Sequence, residues 1–139
     1  MLKIKSLDHL VLTVVSIPRT LEFYERVLGM EPLQFVSPID PTTTRHALKF
    51  GRTKINLHSA DKPFKPHALN PLSGTADLCF LLDDSNSGVS DIEGVLQHFK
   101  ELNVPIELGP VKRTGANGTI DSVYIRDPDE NLIEISKYL

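Results

Sequence analysis

Cysteine is nearly absent from this chain of 139 residues, since Cys79 is the only one. A single cysteine excludes an intrachain disulfide, which agrees with a reducing compartment without requiring one. Long hydrophobic runs are also lacking, because no apolar stretch approaches the ~18 residues that a membrane-spanning helix needs. The first residues lead directly into a strand pattern rather than a cleavable signal. We therefore expect a cytoplasmic protein without a membrane partner.

A strong excess of charge of one sign is also lacking, because the formal net charge is only −3. No stretch of clustered Lys and Arg is present, which argues against nucleic acid as a partner. Hydrophobic residues make up 40% of the chain and charged residues 24%, as is ordinary for a globular protein. The length predicts a single domain over residues 1–139.

The first half of the chain has the pattern of a strand, a helix and three strands. Residues 8–14 form an apolar, β-branched run of strand length. Ser16 then suits a helix N-cap, Pro18 a first helical turn, and Gly29 a helix end. Three short strands follow between Pro, Gly and Asp breaks, at residues 33–36, 46–50 and 54–58.

The second half repeats this order after a linker with several Pro and Gly residues. Residues 76–82 open it as an apolar strand, and Ser90 with Glu93 three residues later forms a capping-box pattern. The predicted helix has an apolar face made of Ile92, Val95, Leu96, Phe99 and Leu102. Three further strands are predicted at residues 106–108, 122–126 and 131–135. The fold class is therefore α+β, with two βαβββ modules at about 1–60 and 75–139 and a linker at about 61–74.

Four polar residues interrupt the apolar strands at corresponding places in the two halves. His9 and Asp77 lie on the opening strands, and His58 and Glu134 lie on the closing strands. A polar group on a buried strand is costly unless it has a partner, and a metal ion would be one. Two imidazoles and two carboxylates suit Ni, Co, Mn, Fe or Zn better than Ca. Four protein ligands would leave coordination positions open, so catalysis is possible.

Each of the four residues also has a simpler interpretation. His9 could be a strand-edge histidine with a hydrogen-bonded ring, and Glu134 a surface carboxylate on an edge strand. His58 ends its strand and could face solvent. Asp77 could cap the loop around Thr75 or pair with a nearby Lys or Arg.

Three motifs make the sequence resemble the vicinal-oxygen-chelate superfamily, which includes glyoxalase I, bleomycin-resistance proteins and extradiol dioxygenases. The motifs are residues 7–14, 23–30 and 126–134. Further stretches resemble the subgroup of glyoxalase-domain-containing protein 5, which is often labelled lactoylglutathione-lyase-like. These stretches are residues 54–58, 74–79 and 109–116.

The resemblance implies a fold of two βαβββ modules, one divalent metal ion and a homodimer. It also implies that the metal ligands are His9, His58, Asp77 and Glu134, at the positions that match the family's pattern. Glyoxalase I itself usually has an acidic residue in place of His58 and a histidine in place of Asp77. By this alignment, the ligand types are exchanged between the two halves.

The expected activity is a glyoxalase-type isomerisation of a small molecule such as a glutathione adduct. Glu134 would remove a proton next to a carbonyl, giving an enediolate, and His58 could serve as a second proton-transfer group. Arg113, in a predicted Gly-rich loop, could hold a carboxylate of the substrate, or be a solvated hairpin charge. His46 could line the pocket, or be a surface histidine of an edge strand.

Other features bear on the pocket and its use. Phe64, His67 and Leu69 in the linker are candidates to cover the pocket, whereas Cys79 is expected in the core because its neighbours are apolar. The competing function is that of a bleomycin-resistance-type protein, which binds a small molecule without catalysis. A third possibility is a purely structural dimer module, whose polar strand residues are satisfied by hydrogen bonds alone.

Overall fold

The structure is a computed structural model that describes residues 1–85 and 88–139. It comprises two compact units, Met1–Gly74 and Thr75–Leu139. Their boundary coincides with the end of the linker predicted from the sequence. No helix in the described part of the chain is long and apolar enough to cross a membrane.

The first unit contains one helix and a four-stranded sheet. Its elements are β1 (His9–Val14), α1 (Ile17–Leu28), β2 (Glu31–Val36), β3 (Thr44–Phe50) and β4 (Thr53–Ser59). The strand order is β1-β4-β3-β2, with β1 parallel to β4 and the other neighbours antiparallel. The predicted βαβββ order of this half is confirmed.

Helix α1 begins and ends where its capping residues predict. The Ser16 side chain accepts a hydrogen bond from the backbone N–H of Arg19 at 3.3 Å, and Pro18 lies in the first turn. Gly29 ends the helix with φ of 67°, a left-handed conformation that glycine adopts without the steric cost of a Cβ.

One face of the first sheet packs against α1, and the opposite face is polar. Tyr24 and Val27 of α1 are buried, as are the apolar sheet residues Leu12, Val14, Leu48, Ile55 and Leu57. Successive side chains of a strand point to opposite faces. The alternate residues therefore form what we call the polar face of the first sheet, whose polar members include His9, Thr13, Glu31, Arg45, Lys49, Lys54, Asn56 and His58.

The second unit repeats the topology of the first. Its elements are β5 (Asp77–Leu81), α2 (Ile92–Glu101), β6 (Leu108–Gly115), β7 (Gly118–Arg126) and β8 (Leu132–Tyr138). The strand order is β5-β8-β7-β6, and β5 runs parallel to β8. The two βαβββ modules expected from the sequence are thus present.

The second sheet also has one helix-packed face and one polar face. Buried Val95 and Phe99 of α2 complement the buried sheet residues Val123, Ile125, Ile133 and Ile135. The alternate residues form the polar face of the second sheet, whose members include Asp77, Cys79, Arg113, Ser122, Tyr124, Glu134 and Ser136.

The predicted capping box at the start of the second helix is wrong. The N-cap is Asp91, whose side chain accepts a hydrogen bond from the N–H of Gly94 at 2.7 Å. Ser90 lies one residue before the cap, and its carbonyl oxygen accepts a hydrogen bond from Lys137 Nζ at 2.8 Å. Both Asp and Ser are good N-cap residues, so adjacent candidates cannot be separated by composition.

The loop predicted around Arg113 is a strand. Strand β6 starts at Leu108 and continues to Gly115, so it replaces the shorter strand predicted at 106–108. A register irregularity between Leu108 and Val111 accommodates the Gly-Pro pair. Pro is tolerated at a bulge of an edge strand, and β6 is an edge strand.

Candidate functional site

Strand register places His9 closer to Asn56 than to His58 on the first sheet. His9 of β1 lies opposite Lys54 of β4, whereas Val11 lies opposite Asn56 and Thr13 opposite His58. At about 3.3 Å per residue, Asn56 is about 7 Å along the strand from the level of His9, and His58 is about 13 Å from it. Because a Zn–N bond is only about 2 Å long, two ligands of one ion must lie close together. An offset of about 13 Å along the strands separates His9 and His58 too far for this.

The second sheet shows the same offset with Glu134. Asp77 of β5 lies opposite Leu132 of β8, and Glu134 is two residues further along. Asn56 is therefore the structural counterpart of Glu134 in the repeat, and His58 lies two residues beyond it. Both His58 and Glu134 are on closing strands as predicted, but they do not correspond. Asn56 was not predicted because it is not ionisable, although it is a polar residue inside an apolar strand.

His9 has the environment of an imidazole prepared to bind a cation. Its Nδ1 is 2.8 Å from a carboxylate oxygen of Asp8. A carboxylate only accepts hydrogen bonds, so Nδ1 carries a proton, and in the neutral tautomer the lone pair is on Nε2. The hydrogen bond also lowers the pKa of Asp8. Histidines that bind metals commonly donate their other ring N–H to a carboxylate in this way.

Asn56 is buried without a hydrogen-bond partner for its side-chain oxygen. Its exposed fraction is 5%, and Oδ1 forms no hydrogen bond with the described residues. Burying a polar atom without a partner costs about 1–3 kcal/mol. An unsatisfied amide oxygen on this face fits a bound cation or a donor group of a ligand.

His58 has an environment that does not suit a metal ligand. Its Nε2 lies 3.0 Å from Nη2 of Arg45, and a guanidinium only donates, so this nitrogen's lone pair is already engaged. Burial, together with the positive charges of Arg45 and His67, lowers the pKa of His58 below its usual value of 6.5. His58 is therefore a neutral imidazole held beside a cation.

Glu134, at the centre of the second sheet's polar face, is held by the Ser122 hydroxyl, which Ser136 Oγ supports from 2.7 Å. Ser122 Oγ donates to Glu134 Oε2 at 2.5 Å, and Ser136 Oγ contacts the same oxygen at 3.3 Å. Ser122 is fully buried on β7 and Ser136 on β8 itself, so the carboxylate has a rigid support. These two serines were also not predicted from the sequence.

Cys79 and Asp77 lie on β5 beside Glu134. Cys79 is directly opposite Glu134 and is exposed, so its expected place in the core is wrong. Partial burial raises the pKa of its thiol, which keeps the sulfur protonated. Asp77 is exposed, and its carboxylate interacts electrostatically with Arg126 on the same polar face.

Arg113 shares the polar face with Glu134, with Tyr124 between them. Arg113 Nε donates to the Tyr124 hydroxyl at 3.1 Å, and Tyr124 lies directly opposite Glu134 on the neighbouring strand. Partial burial is the main cause that raises the pKa of the Tyr124 hydroxyl. Arg113 and Glu134 were both predicted from the sequence, and Tyr124 is an addition.

His46 does not share a face with the other predicted site residues of the first unit. It lies opposite Leu57 in the sheet, on the face that α1 covers. In the linker, Phe64 contacts the polar face, because its ring centroid is 4.2 Å from the Arg45 guanidinium carbon. Leu69 is 93% exposed, so it covers no part of the described structure.

Comparison with known proteins is decisive for the family. Residues 6–135 match the sequence profile of the Glyoxalase/Bleomycin resistance protein/Dioxygenase superfamily. The chain belongs to this superfamily. It is 47% identical, over 99% of its length and 70% of the relative's, to the glyoxalase domain-containing protein RDO1 of Mycosarcoma maydis. A solved protein from the mobile metagenome of V. pseudocholerae is 49% identical, with a TM-score of 0.88 over 100% of this chain and 98% of that one.

More distant solved members of the superfamily include a named enzyme and a metal-containing protein. A lactoylglutathione lyase of Agrobacterium tumefaciens is 25% identical, with a TM-score of 0.66 over 95% of this chain and 92% of that one. The fosfomycin resistance protein FosX of Listeria monocytogenes, solved with Mn(II), is 17% identical. Its TM-score is 0.60 over 99% of this chain and 95% of that one, so it shares the fold.

Among the residues that the structure describes, no group of three or more His, Cys, Asp or Glu side chains is arranged to hold a metal ion. Asn56 belongs to none of these four residue types.

Proposed function

We propose that this glyoxalase-superfamily chain is a divalent-metal-dependent isomerase of the lactoylglutathione-lyase type, or a related enzyme that moves a proton next to a carbonyl. The observation that carries the proposal is the support of Glu134. Its carboxylate is half-buried on a helix-free sheet face and fixed by Ser122 and Ser136. A fixed, partly desolvated carboxylate is the usual form of a carbon-acid base.

Each unit offers donor groups of the kinds that Ni, Co, Mn, Fe or Zn binds. In the first unit His9 offers Nε2 and Asn56 an unsatisfied buried oxygen. In the second unit Asp77 and Glu134 offer carboxylates. When bound, the ion would act as a Lewis acid that stabilises negative charge on the substrate's oxygens. His58 is left out of this ligand set because Arg45 occupies its Nε2.

The proton transfer is assigned to Glu134. Both serine contacts are to Oε2, so we assign Oε1 as the oxygen that takes the proton from the substrate carbon. The same carboxyl group then returns the proton to the neighbouring carbon, and the proton of the substrate's hydroxyl passes to the former carbonyl oxygen, which completes the isomerisation. His58, which the sequence suggested as a second proton-transfer group, is not given that role, because its Nε2 accepts a hydrogen bond from Arg45.

Arg113 is the proposed contact for an anionic group of the substrate, such as a carboxylate of a glutathione adduct. Tyr124 fixes the guanidinium through its hydroxyl, and the ring lies 5.6 Å from the guanidinium carbon. A planar guanidinium pairs well with a carboxylate because it offers two parallel N–H donors. We expect the enzyme to act as a homodimer, as the resemblance implies, and to be located in the cytoplasm.

Metal content tests the proposal directly. We would measure it by mass spectrometry for wild type, His9→Ala, Glu134→Ala and His58→Ala, with Glu25→Ala on the exposed surface of α1 as the matched control. Near-stoichiometric metal is expected in wild type, the control and the His58 variant, with loss in the other two. Wild type that stays metal-free after metal is supplied would contradict the enzyme proposal and favour a binding protein.

The base is tested separately by turnover of methylglyoxal with glutathione and related 2-oxoaldehyde adducts. Glu134→Gln keeps the shape of the side chain and removes its basicity. We expect kcat to fall by roughly 10²–10⁴-fold. A Glu134→Gln enzyme that binds metal and turns over at the wild-type rate would refute the assignment of the base.

A further inference from the structure

The polar face of the first sheet contains three cations, and Arg45 is the one without an acidic neighbour. Lys49 lies opposite Glu31, and Lys54 interacts electrostatically with Asp8. Arg45 forms no ion pair with any residue that the structure describes. It is nevertheless half-buried, and a partly buried charge without a counter-charge is costly.

Aromatic rings contact the Arg45 guanidinium, and these contacts do not use its N–H groups as hydrogen-bond donors. Its central carbon lies 4.2 Å from the ring centroid of Phe64 and 5.4 Å from that of Phe35. A guanidinium has five N–H donors, and the structure shows one of them bonded, to His58 Nε2 at 3.0 Å. A guanidinium fixed by aromatic rings and short of acceptors is preorganised for an anion.

His58 supplies a second unsatisfied donor next to Arg45. Because Nε2 accepts from Arg45, the neutral ring carries its proton on Nδ1. That nitrogen is buried and has no hydrogen-bond partner among the described residues, and the side chain as a whole is only 4% exposed. The pair therefore lacks an acceptor, which is the opposite of what a metal site needs.

We propose that Arg45, positioned by His58, binds the carboxylate of a small substrate that has an apolar part next to that carboxylate. The apolar part would lie against Phe35, Phe64 and Val11, since Val11 is 44% exposed and lies on the same face beside Asn56. This proposal deepens the proposed function by naming the substrate class. It requires neither a metal ion nor turnover, so it can fail independently.

The probe is butyrate, with the neutral butyramide as its isostere. Each is titrated into the protein as purified and again after chelator treatment, and the side-chain ¹H–¹⁵N signals of Arg45 and His58 are followed by NMR. We expect saturable shifts of both residues with butyrate in both preparations, and binding of butyramide that is at least about tenfold weaker. Equal binding of the two compounds, or butyrate binding that disappears with the chelator, would overturn the proposal.

Charge-matched variants assign the binding to Arg45. Arg45→Gln should weaken butyrate binding about tenfold or more, whereas Arg19→Gln on the exposed surface of α1 should leave it unchanged. Arg113→Gln should also preserve the shift of the His58 signal. If Arg45→Gln does not fold, Arg45→Lys keeps the charge, loses the planar group, and should still weaken binding severalfold. Unchanged affinity in a folded Arg45 variant, or shifts confined to Arg113, would refute the subsite.

Discussion

Asn131 joins the turn before β8 to the beginning of β5, directly before Asp77. Its side chain is 1% exposed; Oδ1 accepts from the N–H of Ala76 at 2.9 Å, and Nδ2 donates to Asp127 Oδ2 at 2.9 Å. Asn131→Ala removes both bonds and leaves two groups without these partners. Each lost partner costs about 1–3 kcal/mol, so we expect a loss of about 2–5 kcal/mol in the free energy of unfolding.

Urea unfolding monitored by circular dichroism measures this loss. A change of this size is a large part of the roughly 5–15 kcal/mol that stabilises a typical domain, and it should lower Tm by about 10 °C. Asn117→Ala is the matched control, because Asn117 is exposed in the β6–β7 hairpin and contributes only its backbone N–H to a hydrogen bond. The control should change stability by less than about 0.5 kcal/mol. An Asn131→Ala protein within about 1 kcal/mol of wild type would refute the reasoning, because the buried groups would then have lost nothing.

Two further predictions concern the stability of the protein, one through the pKa of His58 and one through the backbone at Gly109. Because the pKa of His58 is lowered in the folded protein, the unfolded chain binds protons more readily, and stability should fall as pH drops below about 6.5. His58→Gln should reduce this fall between pH 7.5 and 5, as measured by urea midpoints, and equal falls would contradict it. Gly109→Ala should destabilise by more than about 2 kcal/mol, because φ is +116° and a Cβ would lie 2.5 Å from the Ser122 carbonyl oxygen. Gly51→Ala, where φ is +50° and a Cβ would meet no atom within 4 Å, should cost clearly less, and thermal unfolding of both variants would show whether it does.

The helices and most strands could be predicted because their signals are local. Ser16 and Gly29 define both ends of α1 through interactions within a few residues. Strand β6 could not be predicted, because a Gly-Pro pair ordinarily indicates a break. Only the pairing with β7, and the edge position that removes the need for one N–H, make that segment a strand.

The composition of the site was harder to predict than its location. His9 and Glu134 were singled out because each is polar within an apolar strand, and the structure places each on a helix-free face. The choice between Asn56 and His58 depends on the register of β1 against β4, which are 38 or more residues apart in sequence and joined through a helix and two strands. Side-chain alternation gives Asn56 and His58 the same face, so periodicity cannot distinguish them.

The register also explains how strand β4 could contact both a cationic or donor group and an anionic group of a ligand. Asn56, near the level of His9, presents an acceptor without a partner, whereas His58, one strand repeat further along, presents a donor without a partner and lies beside Arg45. A cation is favoured by the first environment and opposed by the second, and an anion has the reverse preference. A substrate with a hydrogen-bond donor such as a hydroxyl at one end and a carboxylate about 7 Å away would satisfy both environments along β4, at about 3.3 Å per residue. The separation of these two groups, rather than the fold, is therefore the feature by which we expect this protein to select its substrate.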